Sequence, residues 1–341
     1  MKIPVFSSTI RRKEMDAVLT CMVAERVGPG EMNQRFSQTV KESLSFEGAG
    51  VFRSASIALA YACNALNLTA GSSIIISALA PAWHYHAVSR LGYNPIVADV
   101  DAETAVVTAD SLKNAVDQGG RLILLHETLG FVPDMPSILA LNIPVIEDIS
   151  QSVGTFVNEK PVGTFGIFSI LGLEDRDLLT AGGGALLLAA NKREAIVLKK
   201  LVDEAPKTDI LPDINAALAW VQFKELGRNS QTRKEMHSLF LRSLMQGRHK
   251  TIIQGEEVVS SVYGFPVILS SGLKEVRQYA TKKDIEIEEA FSDSVLSVLG
   301  DDVEGFINAK SLSMRCVLFP LYPRLGAANV AKISKILATL P

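Results

Sequence analysis

The stretch SSIIISALAPAWHYHAVSRLGYNPIVADVD, residues 72–101, decides the fold. It opens with an apolar run at 72–77, continues with a short helical segment that Gly92 ends, and closes with a second apolar run from Asn94. Strand, helix and strand in this order form a βαβ unit. Because both strands are apolar on both faces, they are typical of a parallel sheet that helices cover on both sides. The same alternation runs from about residue 50 to 150 and predicts an α/β fold.

The pattern changes after this region. Residues 166–190, GIFSILGLEDRDLLTAGGGALLLAA, predict two apolar strands joined by a charged turn and three glycines. Residues 214–246 have the amphipathic spacing of a long helical stretch, and the segments after it mix short strands and helices. We therefore expect a large domain at 1–229 and a smaller α+β domain at 230–341.

Composition narrows the class of protein. A hydrophobic content of 48% and a charged content of 21% are ordinary for a globular chain and exclude wholesale disorder. The net charge of −3 gives no electrostatic basis for binding nucleic acid or an anionic membrane. The three scattered cysteines form no disulfide framework or metal motif, and the N-terminus, which is polar by Ser7, has no signal-peptide core. We expect a cytoplasmic protein with no nucleic-acid or membrane partner.

Ligands bind to parallel sheets at the carboxyl ends of the strands, and the first suggestive end is FRSASIAL, residues 52–59. Small residues at a strand-to-helix junction leave backbone N–H groups free to bind a phosphate. Ser54, Ala55 and Ser56 could do this here, although a serine that only caps the helix is the more common arrangement.

Two further strand ends are polar. In VIEDISQSVG, residues 145–154, Asp148 closes an apolar strand and Gln151 follows it. Such a carboxylate could pair with the ring nitrogen of a pyridoxal cofactor, bind a metal, or meet an arginine or a helix end, and the residues alone favour none of these. Ser169 lies in the strand before the triple glycine, which is compatible with either a close ligand or a tight turn.

The histidines give weaker signals. His84 and His86 are two residues apart and have no evident third ligand, so we expect no metal site. His126 ends an apolar strand and is a candidate site residue, with a hydrogen-bonded structural role as the alternative.

Taken in chain order, several segments resemble the DegT/StrS type of nucleotide-sugar aminotransferase, a family of pyridoxal-phosphate-dependent enzymes of fold type I. The likeness runs over nearly the full length. It is carried by RSASIALAYACNAL at 53–66, LLHETLGFVPDM at 124–135, PVIEDISQSVGTFVNEKPVGTFGIFS at 144–169 and SLSMRCVLFPLYPRL at 311–325.

The resemblance implies a homodimer, a large domain with a mainly parallel seven-stranded sheet, a small C-terminal domain and a nucleotide-sugar or other small anionic ligand. It also assigns roles to residues. Asp148 would pair with the pyridine nitrogen of the cofactor and Gln151 would lie near its ring hydroxyl. The residues that would hold the phosphate are Ala55, Ser56 and Ser169.

The sequence departs from the family where the chemistry is concentrated. The family's Schiff-base lysine falls at Glu174 or Arg176, depending on the direction of counting, and no lysine lies between Lys160 and Lys192. Neither a carboxylate nor a permanently protonated guanidinium can form a Schiff base. The aromatic residue that stacks on the cofactor ring falls at Pro81, with Trp83 close by.

Two hypotheses follow. In the first, the protein is a pseudoenzyme that binds a sugar nucleotide or acts in assembly, and any pyridoxal or pyridoxamine phosphate is held without a covalent bond. In the second, it is still an aminotransferase or a related enzyme in which a lysine from elsewhere in the fold, or His126, transfers the proton. The missing amine favours the first.

Overall fold

The computed structural model describes residues 2–300 and 303–341. Residues 48–189 contain the large sheet and a small β-hairpin. The strands are β1 (Gly48–Phe52), β2 (Ser73–Ser77), β3 (Asn94–Ala98), β4 (Gly120–His126), β5 (Val145–Asp148), β6 (Phe156–Val157), β7 (Lys160–Pro161), β8 (Phe168–Gly172) and β9 (Ala185–Ala189).

The large sheet has seven strands in the order β1-β9-β8-β5-β4-β2-β3. The pairs β3–β2, β2–β4, β4–β5 and β5–β8 are parallel, whereas β9 runs antiparallel to both β8 and β1. The mainly parallel seven-stranded sheet is therefore confirmed. The antiparallel pair β8–β9 is the hairpin that the charged turn and the triple glycine join.

Helices cover both faces of this sheet. Alternate residues of each strand enter two apolar cores, as Ile75 and Ile123 do on one face and Ile74 and Leu122 on the other. The helices of this part are α1 (Arg12–Val23), α2 (Glu31–Ser43), α3 (Ala55–Ala65), α4 (Trp83–Arg90), α5 (Ala109–Asp117), α6 (Met135–Leu139), α7 (Lys192–Asp203), α8 (Asp213–Lys224) and α9 (Leu226–Leu244).

The C-terminal part has its own core around a three-stranded antiparallel sheet in the order β11-β13-β12. Its strands are β10 (Val258–Val259), β11 (Phe265–Ile268), β12 (Glu288–Glu289) and β13 (Cys316–Phe319), and its helices are α10 (Leu273–Lys282), α11 (Val295–Val298), α12 (Ile307–Arg315) and α13 (Ala327–Leu337).

The stretch predicted as helical over 214–246 is two helices, α8 and α9, that meet at Glu225. Helix α9 runs through the expected domain boundary at residue 229, and from Met236 onward its buried residues belong to the C-terminal core. Strand β10 pairs with β6 of the preceding part. None of the helices in the described residues has the length and apolar character needed to cross a membrane.

Candidate functional site

A cavity of about 400 Å³ lies at the carboxyl ends of the parallel strands. The segment 288–294, which includes β12 of the C-terminal part, forms its opposite wall. This position agrees with the general rule for ligand sites in parallel sheets. The predicted site residues that line it are Ala55, Ser56, Trp83, His126, Gln151, Glu174 and Arg176.

The start of α3 forms one end of the cavity. Ser54 caps the helix, since its side chain accepts a hydrogen bond from the N–H of Ile57 at 3.2 Å. The N–H groups of Ala55 and Ser56 follow in the first turn and have no acceptor among the residues that the structure describes. Two free N–H groups at the start of a helix favour an anion, so the cap made by Ser54 leaves these N–H groups available to one.

Asp148 lies behind the cavity wall and is fully buried. Its Oδ2 atom accepts hydrogen bonds from His84 Nε2 at 2.8 Å and from His126 Nδ1 at 2.9 Å. Its Oδ1 atom accepts from the N–H of Ser150 at 3.1 Å and from the Ser150 hydroxyl. Burial raises the pKa of Asp148, but the two histidines outweigh it and hold this pKa well below its ordinary value. Asp148 is therefore a carboxylate whose two oxygens both have internal partners.

His126 connects this carboxylate to the cavity. Its Nδ1 atom donates to Asp148, so that in the neutral ring Nε2 carries the free lone pair. Nε2 has no hydrogen-bond partner in the described part of the chain, and the ring lines the cavity although only 2% of the residue is exposed. His126 is thus placed to accept a proton or a hydrogen bond from a ligand.

His84, which the sequence pairs with His86, contacts His126 and Asp148 instead. The three side chains form a buried group in which one atom of each lies within 4.8 Å of the others. Burial lowers the pKa of His84 in spite of the neighbouring Asp148. Two imidazole N–H groups that donate to one carboxylate account for this geometry without a metal ion.

Ser169 does not reach the cavity wall. It is fully buried, its Oγ atom has no hydrogen-bond partner, and it pairs with Glu147 and Leu188 in the sheet. A Cβ atom on Gly163 would lie 3.1 Å from this Oγ atom, so the serine faces the 163 loop. The structure therefore gathers Ala55 and Ser56 at the cavity but leaves Ser169 away from them.

The charged turn 174–177 forms the other end of the cavity. Arg176 binds Glu288 through two hydrogen bonds, of 2.6 and 3.1 Å. Asp177 accepts from the N–H of Glu174 at 2.8 Å. Burial raises the pKa of Asp177 well above its ordinary value, and the negative charges of Asp148, Glu174 and Asp175 raise it further.

The wall is acidic as a whole. Within residues 2–300 and 303–341, one arginine and no lysine line the cavity, against six carboxylates. These carboxylates belong to Glu174, Asp175, Asp177, Glu288, Glu289 and Asp293. Sequence reasoning missed the contribution of the segment 288–294, because nothing in its letters indicates that it folds back over the sheet.

Pyridoxal phosphate, which the resemblance implies, fits this cavity only in part. The start of α3 suits its phosphate, and Trp83 offers an aromatic ring at the wall. Its covalent bond needs an amine, which the described wall lacks. Asp148 has both oxygens occupied and lies outside the wall, so it does not offer a free carboxylate to a ring nitrogen. These residues do not fit the group as a covalently held cofactor.

Solved structures share this fold. TlmJ, an aminotransferase from Streptoalloteichus hindustanus, is 18% identical, with a TM-score of 0.90 over 99% of this chain and 98% of its own. Spr1654 from Streptococcus pneumoniae, in its PLP form, gives the same identity, TM-score and coverage. A mutant of GDP-4-keto-6-deoxymannose-3-dehydratase (ColD), with bound GDP-perosamine, is 19% identical, with a TM-score of 0.84 over 98% of this chain and 99% of its own.

The fold is accordingly that of the fold-type-I pyridoxal-phosphate aminotransferases. At the level of sequence, the DegT/DnrJ/EryC1/StrS aminotransferase family matches residues 8–338, which is nearly the whole chain. The chain therefore belongs to the DegT/DnrJ/EryC1/StrS aminotransferase family.

Proposed function

We propose that this protein binds a phosphorylated small molecule of the sugar-nucleotide class without a covalent bond and does not transaminate through a Schiff base. The observation that carries the proposal is the composition of the cavity wall. Among the residues that the structure describes, carboxylates and Arg176 line this wall, and no lysine does. A guanidinium stays protonated at any working pH, and a carboxylate is not an amine, so neither can attack an aldehyde.

The surroundings of Asp148 support the same proposal. A cofactor ring that used this carboxylate would have to displace His84 or His126 from Oδ2. Both histidines are buried, and breaking a buried hydrogen bond without replacing it costs about 1–3 kcal/mol.

The test uses pyridoxal phosphate, borohydride reduction and intact-mass measurement, followed by peptide mapping. We expect no adduct that maps to the cavity. The Arg176→Lys variant is the control, because it places an amine in the same wall. A reduced adduct on a lysine of the wild-type cavity would overturn the proposal, whereas adducts confined to exposed lysines would not.

His126 supports a second candidate, an enzyme that uses pyridoxal or pyridoxamine phosphate with this histidine as the proton-transfer group. The supporting observation is that Asp148 fixes Nδ1 while the ring lines the cavity. Positioned acid–base groups contribute about 10²–10⁴-fold to a rate. The experiment is an assay with glutamate and a nucleotide keto-sugar. Turnover that falls in His126→Gln would favour this candidate, and its absence in the wild type would exclude it.

We also propose that the protein is a cytoplasmic homodimer. The family resemblance is the main reason, and α1 supports it with four exposed apolar side chains on one face, at i, i+4, i+7 and i+8. These side chains are Met15, Leu19, Met22 and Val23.

A further inference from the structure

Arg233 on α9 is a buried cation without a counter-charge in the described part of the chain. Only 8% of the residue is exposed, and its Nε atom has no hydrogen-bond partner among residues 2–300 and 303–341. The salt bridges that the arginines of these residues form do not include Arg233. Burial lowers the pKa of its guanidinium to about 10, which leaves it charged at neutral pH. Because arginine is almost never buried unless it is paired, this charge indicates a partner from outside the chain.

The guanidinium lines a small cavity where three parts of the chain meet. These parts are the N-terminal segment 7–9, the residues 177–180 that lead into the triple glycine, and the helices α8 and α9. The centre of a water-sized sphere can occupy about 10 Å³ of it, which is room for about one such sphere. Eight residues line it besides Arg233, and all but one are polar: Ser7, Ser8, Thr9, Asp177, Leu178, Thr180, Gln222 and Asn229. The cavity therefore suits a single small polar occupant.

Asn229 is a second, independent sign of an occupant. It lies one helical turn before Arg233, so the two side chains share a face of α9. Only 5% of Asn229 is exposed, and its Oδ1 atom has no hydrogen-bond partner within the described residues. Buried polar atoms in native proteins are normally satisfied. Since a carboxamide offers either its oxygen or its N–H₂ group after a rotation of its last bond, Asn229 can donate to an anion beside the guanidinium.

The carboxyl groups of this region do not neutralise Arg233. Asp177 lines the cavity but forms no salt bridge with the arginine, and its carboxyl accepts from the N–H of Glu174 at 2.8 Å. Burial raises the pKa of Asp177 well above its ordinary value, which favours the neutral acid. Glu14 does not line the cavity, and its Oε1 atom accepts from Gln222 Nε2 at 3.3 Å. The charge of the arginine is therefore left to an occupant of the cavity.

Size and charge together define that occupant. A phosphate, a sulfate or an organic acid is larger than the cavity, whereas a water molecule would fit but would leave the guanidinium unbalanced. We propose that this cavity binds one small monovalent anion of the halide class, such as chloride, with Arg233 as its counter-charge and Asn229 as a further donor. The site goes beyond the proposed function and does not rest on it, although Asp177 lines both cavities.

Thermal melts of the full chain test the anion. The protein is prepared in halide-free buffer, and sodium chloride, sodium bromide or sodium gluconate is added at equal ionic strength. We expect chloride and bromide to raise the Tm by about 2 °C or more and the rise to saturate, because a ligand that binds the folded state stabilises it by mass action. Gluconate exceeds the cavity and should give no such rise. If a water between Arg233 and Asp177 satisfied both groups, the halides would act no differently from gluconate.

Variants of α9 locate the effect. Arg233→Gln should abolish the saturable rise, whatever its Tm in halide-free buffer, whereas Arg233→Lys keeps a positive charge and should retain part of it. Arg242→Gln is the matched control, because it removes an exposed arginine from the same helix. It should respond to chloride as the wild type does.

Bromide also reveals the position of the ion without any substitution. In a crystal of the wild type soaked in sodium bromide, we expect an anomalous-scattering peak in contact with Arg233 and Asn229. Only water at that place would overturn the proposal. A wild-type Tm that does not depend on the kind of anion would overturn it as well, and so would a chloride response that survives in Arg233→Gln.

Discussion

Two fully buried glutamates, Glu127 and Glu147, interact electrostatically. Glu127 is fully buried and neither of its side-chain oxygens has a hydrogen-bond partner, whereas Glu147 accepts from the N–H groups of Gly163, Phe165 and Gly166. Burial raises the pKa of Glu127 well above its ordinary value, and Glu147 raises it further. Burial raises the pKa of Glu147 as well, but its three backbone donors oppose this rise. We therefore assign the proton of the pair to Glu127.

We expect Glu127→Gln to change the free energy of unfolding by less than about 1 kcal/mol at neutral pH, since it replaces one neutral side chain with another. Glu147→Gln should cost at least about 2 kcal/mol, because its amide N–H₂ would face backbone donors. Urea unfolding measures both. Equal losses in the two variants would contradict this assignment of the proton.

The raised pKa of Glu127 gives the stability of the protein a pH dependence of definite sign. The folded-state pKa of Glu127 lies above its unfolded-state value of about 4.3, so the folded state binds the extra proton between these two values. The stability of the wild type should therefore decrease as pH rises from the unfolded pKa through the folded one. Glu127→Gln should make this decrease smaller, while the raised pKa values of Glu147 and Asp177 preserve part of it. The same urea titrations at several pH values would show the difference.

At the scale of elements, the turn that joins β8 to β9 depends on where each glycine lies. Gly182 has φ +69° and no atom within 4 Å of a Cβ, whereas Gly184 has φ +116° and would place a Cβ 2.6 Å from Leu211 Cδ1. We expect Gly182→Ala to cost about 1 kcal/mol, the typical cost of a left-handed non-glycine residue. Gly184→Ala adds overpacking and should cost more than about 3 kcal/mol. Urea unfolding measures both variants, and equal losses of unfolding free energy in Gly182→Ala and Gly184→Ala would contradict this account of the turn.

Helix α2 is capped by a residue from another helix. Asp213, at the start of α8, accepts hydrogen bonds from the N–H groups of Gly30, Met32 and Asn33 at 2.9–3.0 Å and is 3% exposed. It joins two helices about 180 positions apart in the chain.

Asp213→Ala should destabilise the protein by about 2–4 kcal/mol, because three donors lose their acceptor in a buried place. Asp134→Ala is the matched control, since Asp134 caps the short α6 at an exposed position and should cost about 1 kcal/mol. Urea unfolding measures the free energy of unfolding of both variants. Faster hydrogen exchange confined to α2 in the Asp213 variant would show that the effect is local to the cap.

At the scale of the whole molecule, the two parts are tied together by long-range contacts. Ile3 bridges to Ile285 and belongs to the C-terminal core, although it precedes the large sheet in the chain. The segment 288–294 of the C-terminal part forms one wall of the cavity. The candidate site is therefore complete only when both parts are folded.

The proposed dimer can be tested at the exposed apolar face of α1. Leu19→Glu together with Val23→Glu would place two charges on the exposed apolar face of α1 and should weaken association about tenfold or more, since each buried aliphatic side chain is worth about 1.5–3 kcal/mol. Met314→Glu, at another exposed apolar residue, is the control. Sedimentation velocity measures the oligomeric state, and a wild-type monomer would exclude the dimer.

The sequence by itself determined the features that local pattern can specify. The pattern of apolar residues predicts the strand around Ile74–Ile76 and the helix that begins at Trp83. It also predicts the order in which strands and helices alternate. The start of α3 after Ser54 is also predictable, because serine commonly caps the N-terminus of a helix. The absence of a lysine between Lys160 and Lys192 is visible in the letters alone.

Only the tertiary structure decided how these parts meet. His84 lies 64 positions from Asp148, yet it donates to the same carboxylate oxygen as His126. The segment 288–294 brings Asp293 to the cavity that the turn 174–177 also lines, and together they make its wall acidic. Such contacts join residues far apart in the chain, and they leave no period or spacing in the sequence, because packing and burial select them only after the sheet and its helices have formed.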